Sequence, residues 1–178
     1  MTFKSAKIRY RSFLVAARDA VELEWKAKYP SIRIVGIDQV AIKHANERWV
    51  YEENRPRVFN WFYINEHYSK YIRKIDVAIW HGADLCGMAI GKASRGKNAE
   101  NSNVTIEFIQ GAPGSINPIK GNVAPISVEV FNNFGFLTDK RVVYLESPLP
   151  AVVPYYTNIG FSIDASAPKG LRMKKEII

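Results

Sequence analysis

The sequence predicts an α+β fold: a mixed, mostly antiparallel central sheet flanked by helices, with an extra helix at the N-terminus. Three observations predict it. An apolar stripe at spacings of three and four opens the chain. Two short apolar runs flank His81-Gly82-Ala83-Asp84, which is turn chemistry, and so read as a hairpin. Beyond them, helix-like and strand-like patterns alternate to the C-terminus. No internal repeat and no linker interrupts this order, so residues 1–178 are expected to form one domain.

The elements follow in order. Leu14, Ala17, Val21 and Trp25 place a helix over 5–28, with Ser5 at its start and Pro30 beyond its end. Ile32, Ile34 and Val35, closed by Gly36, form a short strand. Asp38 caps a second helix over 39–53, which stops before Asn54-Arg55-Pro56. A third helix over 57–73 is rich in aromatic residues. DVAIW (76–80) and LCGMAI (85–90) are the hairpin strands, and VTIEFI (104–109) is the next strand. Between them, SRGKNAENSN (94–103) has nothing to bury and is the segment best suited to disorder. A Gly/Pro loop over 111–122 leads to a helix over 123–138, where Pro125 is tolerated only in the first turn and so fixes the start near Asn122. VVYL (142–145) is a strand, 150–158 a short helix closed by Gly160, and 161–163 and 171–174 are closing strands.

Composition excludes several classes. The chain has 178 residues, 47% of them apolar and 12% aromatic, which argues against disorder. Its one cysteine, Cys86, forms no internal disulfide, which suits a reducing compartment, and a cytoplasmic location is expected. No apolar run is long enough to span a membrane, and MTFKSAKIRYR does not read as a signal peptide. His44, His67 and His81 are scattered without ligand spacing, so no metal site is expected. The net charge of +8 is uneven: residues 1–74 hold 15 Lys/Arg against 8 Asp/Glu, and residues 75–178 hold 10 against 9. That excess is either a solvated basic face or an attractive surface for a polyanion.

Two motifs carry chemistry. Tyr156-Thr157-Asn158-Ile159-Gly160-Phe161 follows a strand and a short helix near the end of the chain. Lys120-Gly121-Asn122-Val123-Ala124 sits where a helix begins, and a helix start offers unpaired N–H groups and partial positive charge to a phosphate. Together with the element order over residues 76–163, these motifs resemble the GNAT superfamily of N-acetyltransferases. The aromatic-x-x-x-Gly-Phe ending matches. The family's pyrophosphate loop is matched in its Lys, first Gly and Ala, with Val123 in place of the second glycine. Leu149 stands about where the family places an asparagine.

The resemblance implies an acetyl-CoA-dependent transferase. It assigns Lys120, Gly121, Asn122, Val123 and Ala124 to the pyrophosphate, and the backbone of Phe108, Ile109, Gln110 and Gly111 to the pantetheine arm. It implies Glu107 as the base that deprotonates the amine and Tyr156 as the acid that protonates the departing thiolate. Strand alternation would set Glu107 on the face of Thr105 and Ile109, where its charge needs a partner or a cleft. Read without the family, Glu107 is a glutamate on a half-exposed strand and Tyr156 a core aromatic. Tyr155 is expected to be packing. The aromatic helix, with Glu52, Glu53 and Glu66, is either core or a wall of the acceptor pocket.

Three functions stand at this level: an N-acetyltransferase, a non-catalytic module of the same fold that binds nucleic acid or protein, and an acyltransferase using another donor. The acceptor amine is not identified. The basic N-terminal half favours a polyanionic one, such as tRNA, DNA or a ribosome-associated target. A homodimer is a further expectation.

Overall fold

A computed structural model describes residues 3–49, 59–96, 102–167 and 170–178. Helix α1 (Phe3–Trp25) precedes strand β1 (Ile32–Val35), and helices α2 (Gln39–Arg48) and α3 (Trp61–Ser69) follow. Strands β2 (Lys74–His81), β3 (Asp84–Ala93) and β4 (Asn103–Gly111) come next, then helix α4 (Val123–Leu137) and strand β5 (Val142–Glu146). A 3-10 turn (Pro150–Val152) runs into helix α5 (Val153–Asn158), and strands β6 (Ser162–Ile163) and β7 (Arg172–Glu176) close the chain.

The expected elements are present, with shifted ends. α2 begins at Gln39 because the Asp38 carboxylate accepts from the Ala41 amide at 2.8 Å. Its expected continuation over 50–53 lies outside the described residues. α3 is shorter than expected because Asn60 caps it, accepting from the Tyr63 amide at 3.2 Å, and it stops at Ser69. Residues 57 and 58 lie outside the described residues, as do 97–101 of the polar loop. α4 starts one residue after Asn122, with Pro125 inside its first turn as expected.

Among the described residues, seven strands form one sheet in the order β1-β2-β3-β4-β5-β7-β6. Every neighbouring pair is antiparallel except β4 and β5, which run parallel. Both faces are covered, so the central strands read as near-continuous apolar runs rather than alternating ones. One face packs under α1 and α4, with Leu14, Ala17, Val21, Phe131, Phe134, Val104 and Ile106 buried there. The other packs under α2 and α3, with Ala41, Ile42, Trp61, Tyr68, Met88 and Ile90 buried.

α1 is fixed by polar contacts as well as by its stripe. The Trp25 indole donates to the Glu129 carboxylate on α4 at 2.5 Å. Arg18 pairs with the buried Asp76 of β2 and donates to its carbonyl through Nε at 3.0 Å. Asp76 also accepts from the Ile37 amide at 3.0 Å and pairs with Lys74 at 3.1 Å. A buried carboxylate needs such partners, because leaving it unpaired costs several kcal/mol.

Candidate active site

Two irregularities in the sheet shape the site. The first is a β-bulge in β4. Ile90 faces Phe108 and Gly91 faces Ile106, so Glu107 is the extra residue. Gly91 permits it: a Cβ there would run into the Thr105 carbonyl. The bulge corrects the expectation from simple alternation. Thr105 and Glu107 do share the α3 face, but Phe108 joins them there and Ile109 packs on the α1/α4 face instead.

The second irregularity is a fork. β4 and β5 pair from Asn103↔Val142 to Ile106↔Leu145 and no further. Beyond that point β4 continues to Gly111 along β3, while β5 ends at Glu146. Glu107 therefore stands at the vertex where the two parallel strands separate.

A cleft of about 290 Å³ opens from the fork on the α4 side. Ile109, Gly111, Lys120, Gly121, Val123 and Ala124 line it, together with Tyr155 and Tyr156. Six of the nine cofactor residues expected from the sequence are thus brought together. Phe108, Gln110 and Asn122 send their side chains elsewhere. Phe108 packs edge-on against Phe59, with ring centroids 5.6 Å apart, and Gln110 Oε1 accepts from the Phe59 amide and the Trp61 indole, both at 3.0 Å. Asn122 Nδ2 donates to the Tyr29 hydroxyl at 2.9 Å.

The loop into α4 is built from within. Asn117 Nδ2 donates to the Cys86 carbonyl at 2.9 Å, and its Oδ1 accepts from the Ile119 amide at 3.1 Å. Gly121 turns the chain at φ +85°, a left-handed conformation that glycine adopts without strain. No side chain of the described residues caps α4. The amides of Val123 and Ala124 consequently have no protein partner among the described residues. Val123, Ala124 and Lys120 all line the cleft, while Pro125 supplies no donor. The Val123 side chain does not crowd this seat. It is buried and packs against Gly87 of β3 and Gly111 of β4.

Tyr156 lies on the α4 face, buried against Phe161 at 5.9 Å between ring centroids. Burial, with a smaller contribution from Tyr155, pushes its phenol up to about 12. Its hydroxyl has no hydrogen-bond partner among the described residues. Tyr155 is not packing alone: its hydroxyl donates to the Gly121 carbonyl at 2.8 Å and ties α5 to the loop. Leu149, where an asparagine was expected, is exposed and offers no polar group.

On the opposite face, Glu107 is held by two residues that sequence reasoning missed. The Tyr68 hydroxyl donates to one carboxylate oxygen, and the Lys92 ammonium stands 2.8 Å from the other. Burial, and secondarily the bond to Glu107, raise the Tyr68 pKa, so it remains a proton donor to the carboxylate. Period alone gave Tyr68 as one aromatic among several on α3, and nothing in it distinguished this ring. Of the expected acceptor-pocket residues, Glu66 is exposed, and Glu52 and Glu53 lie outside the described residues. Among the described residues, no group of three His, Cys, Asp or Glu is placed to hold a metal ion, and no helix is long and apolar enough to cross a membrane.

Solved structures resemble this architecture closely. An acetyltransferase of the GNAT family from Desulfovibrio desulfuricans superposes with a TM-score of 0.56 at 17% identity, covering 83% of this chain and 98% of its own. A ribosomal-protein-alanine N-acetyltransferase from Escherichia coli gives 0.57 at 13%, covering 82% and 94%. The PaiA N-acetyltransferase from Thermoplasma acidophilum, solved in complex with coenzyme A, gives 0.54 at 13%, covering 82% and 99%. No protein-family model matches the sequence, and neither does any curated protein. At these identities the likeness establishes the fold: the chain has the GNAT fold, as its motifs led one to expect.

Proposed function

We propose that this protein is an acetyl-CoA-dependent N-acetyltransferase that passes an acetyl group directly to an amine, with Glu107 as the base and Tyr156 as the acid. The observation that carries the reading is the fork. β4 and β5 part at Ile106 and Leu145, with a carboxylate on one face of the vertex and a buried phenol on the other.

The cleft fits a pyrophosphate-bearing ligand. Lys120 and the Val123 and Ala124 amides provide charge and donors for it, and the left-handed turn at Gly121 keeps side chains out of the way. The β4 edge around Phe108 and Ile109 suits an extended arm laid along it as an added strand. Bound acetyl-CoA would supply the activated acetyl thioester.

The two faces divide the proton work. Glu107 accepts a proton from the acceptor's ammonium group on the α3 face, and Tyr68 and Lys92 fix its orientation as it does so. Tyr156, kept neutral by burial, gives its proton to the leaving sulfur on the α4 face. The likeness to GNAT acetyltransferases supports the reaction class, and the single buried cysteine suits a cytoplasmic setting.

Calorimetric titration with acetyl-CoA tests the cofactor, and mass spectrometry of a panel of amines incubated with it tests transfer. Binding in the micromolar range and a gain of one acetyl group on an amine are expected. An absence of both heat and thermal shift with acetyl-CoA would replace this reading with that of a non-catalytic module.

A further inference from the structure

The charge asymmetry of the sequence becomes a surface in the folded chain. Two adjoining clefts share Tyr71 and Ile72 in their walls. The larger, about 510 Å³, lies between α1, the β1–α2 loop and the turn after α3, and Lys7, Arg11, Arg18 and Lys74 line it. The smaller, about 260 Å³, lies between that turn and the end of β3, and Lys70, Arg73, Lys92 and Arg95 line it. Eight cations thus border these two adjoining clefts, a concave track, and they come from α1, the turn after α3, β2, β3 and the segment that follows β3.

The acidic groups nearby are already engaged. Asp38 accepts from the Ala41 amide, and Asp76 is spent on Arg18, Lys74 and the Ile37 amide. Glu107 takes Lys92. Lys7, Arg11, Lys70 and Arg95 form no ion pair among the described residues, and each of the four is exposed. Arg73 Nε is buried without a hydrogen-bond partner among the described residues, and its guanidinium lies over the Tyr10 ring, 5.0 Å from the centroid. Burial alone would raise the Tyr10 pKa, but the Arg73 and Arg9 guanidinium groups and the Lys140 ammonium lower it on balance.

We propose that this track binds single-stranded nucleic acid through its phosphate backbone. The four exposed cations outside ion pairs, Lys7, Arg11, Lys70 and Arg95, are more than one phosphate requires, and two clefts in sequence match a repeating anion rather than a single one. Tyr71, common to both clefts, sets an aromatic ring among the cations, with the Lys70 and Lys92 ammonium groups 5.5 and 5.2 Å from its centroid, a combination that suits the bases and phosphates of an unpaired strand. A membrane surface is planar and does not enter concave clefts. The inference does not depend on acyl transfer: the track shares no lining residue with the cleft that holds Lys120 and Tyr156, although Lys92 at its end also pairs with Glu107.

Fluorescence anisotropy of labelled RNA and DNA oligonucleotides of about 12 nucleotides tests it, on the full chain without acetyl-CoA. Binding is expected to weaken steeply with salt. If four exposed cations each neutralise one phosphate, log K against log salt has a slope of about −3. The pairs Lys7→Glu with Arg11→Glu, and Lys70→Glu with Arg95→Glu, should each cut affinity more than about tenfold. The milder Lys70→Gln with Arg95→Gln should flatten the slope by about 1.4. Lys28→Glu with Lys43→Glu, the same charge change elsewhere, should leave affinity within about twofold, and all variants are compared at equal folded fraction by thermal melting. The proposal is overturned if neither oligonucleotide binds, if the slope is flat, or if all charge-reversed pairs lose affinity equally. Capture of phosphatidylglycerol vesicles in place of either oligonucleotide overturns it as well.

Discussion

Val123 and Gly87 fill one another's space. The valine at the start of α4 packs its methyl groups where a side chain on β3 would stand, and a Cβ added at Gly87 would overlap Val123 Cγ1. A bulky residue in a loop expected to hold glycine is thereby turned away from the phosphate seat and into the sheet. The missing side chain is on the strand rather than in the loop.

Gly87→Ala should therefore destabilise the fold by overpacking, by about 1–3 kcal/mol. Adding Val123→Gly to that variant should recover most of the loss, since the pair shares one volume. Urea unfolding of the two single variants and the double variant measures the coupling. Additive effects would mean that the two residues do not compete for space.

Tyr156→Phe should lower kcat by about 10²–10⁴-fold while the affinity for acetyl-CoA changes little, because the phenol acts on the leaving group and not on the bound cofactor. Its raised pKa, about 12, keeps the hydroxyl protonated. The deficit should accordingly be constant across the neutral pH range. A steady-state comparison over that range checks both points, and unchanged turnover would remove Tyr156 from the chemistry.

Tyr68 is a positioning residue. Its hydroxyl fixes the carboxylate of Glu107. Tyr68→Phe should reduce kcat less than Glu107→Gln does, and in the Glu107→Gln background it should have little further effect. Independent, multiplicative losses in the double variant would show that Tyr68 acts apart from Glu107.

Tyr155→Phe loses the bond from α5 to the Gly121 carbonyl. That bond is worth about 0.5–1.5 kcal/mol. The expected result is a rise of several-fold in KM for acetyl-CoA with kcat preserved, the reverse of the Tyr156→Phe pattern. Initial-rate kinetics distinguishes the two neighbours directly.

The buried Asp164 anchors the β6–β7 end. Ser166 donates to it at 2.7 Å, as does Arg172 Nε, and these bonds outweigh burial and hold its pKa below the usual carboxylate value. A depressed folded pKa gives stability that is present above the unfolded value of about 3.9 and is lost as pH falls through the folded one. Asp164→Asn should thus lower the melting temperature at neutral pH, with the gap to wild type closing as pH drops below about 4. A gap that persists in acid would refute the assignment.

The periods of the chain set its elements. The stripe of Leu14, Ala17 and Val21, the cap at Asp38 and the first-turn Pro125 each correspond to an observed helix, and the Gly121 turn and the Tyr156 segment stand where the cleft is. These signals are local, since each depends on neighbours within a turn of helix or a few strand residues. What the sequence did not yield depends on partners far along the chain. The bulge at Glu107 is a matter of register between β3 and β4, announced only by the glycines in LCGMAIG. It moved Ile109 to the opposite face because one inserted residue inverts every side chain beyond it. The clamp of Tyr68 and Lys92 on Glu107, the nesting of Val123 on Gly87 and the gathering of Lys7 with Arg95 along one track join segments tens of residues apart. Only closure of the sheet between its two helical layers brings those segments together, so the sequence by itself determined the elements and the tertiary structure decided which side chains meet.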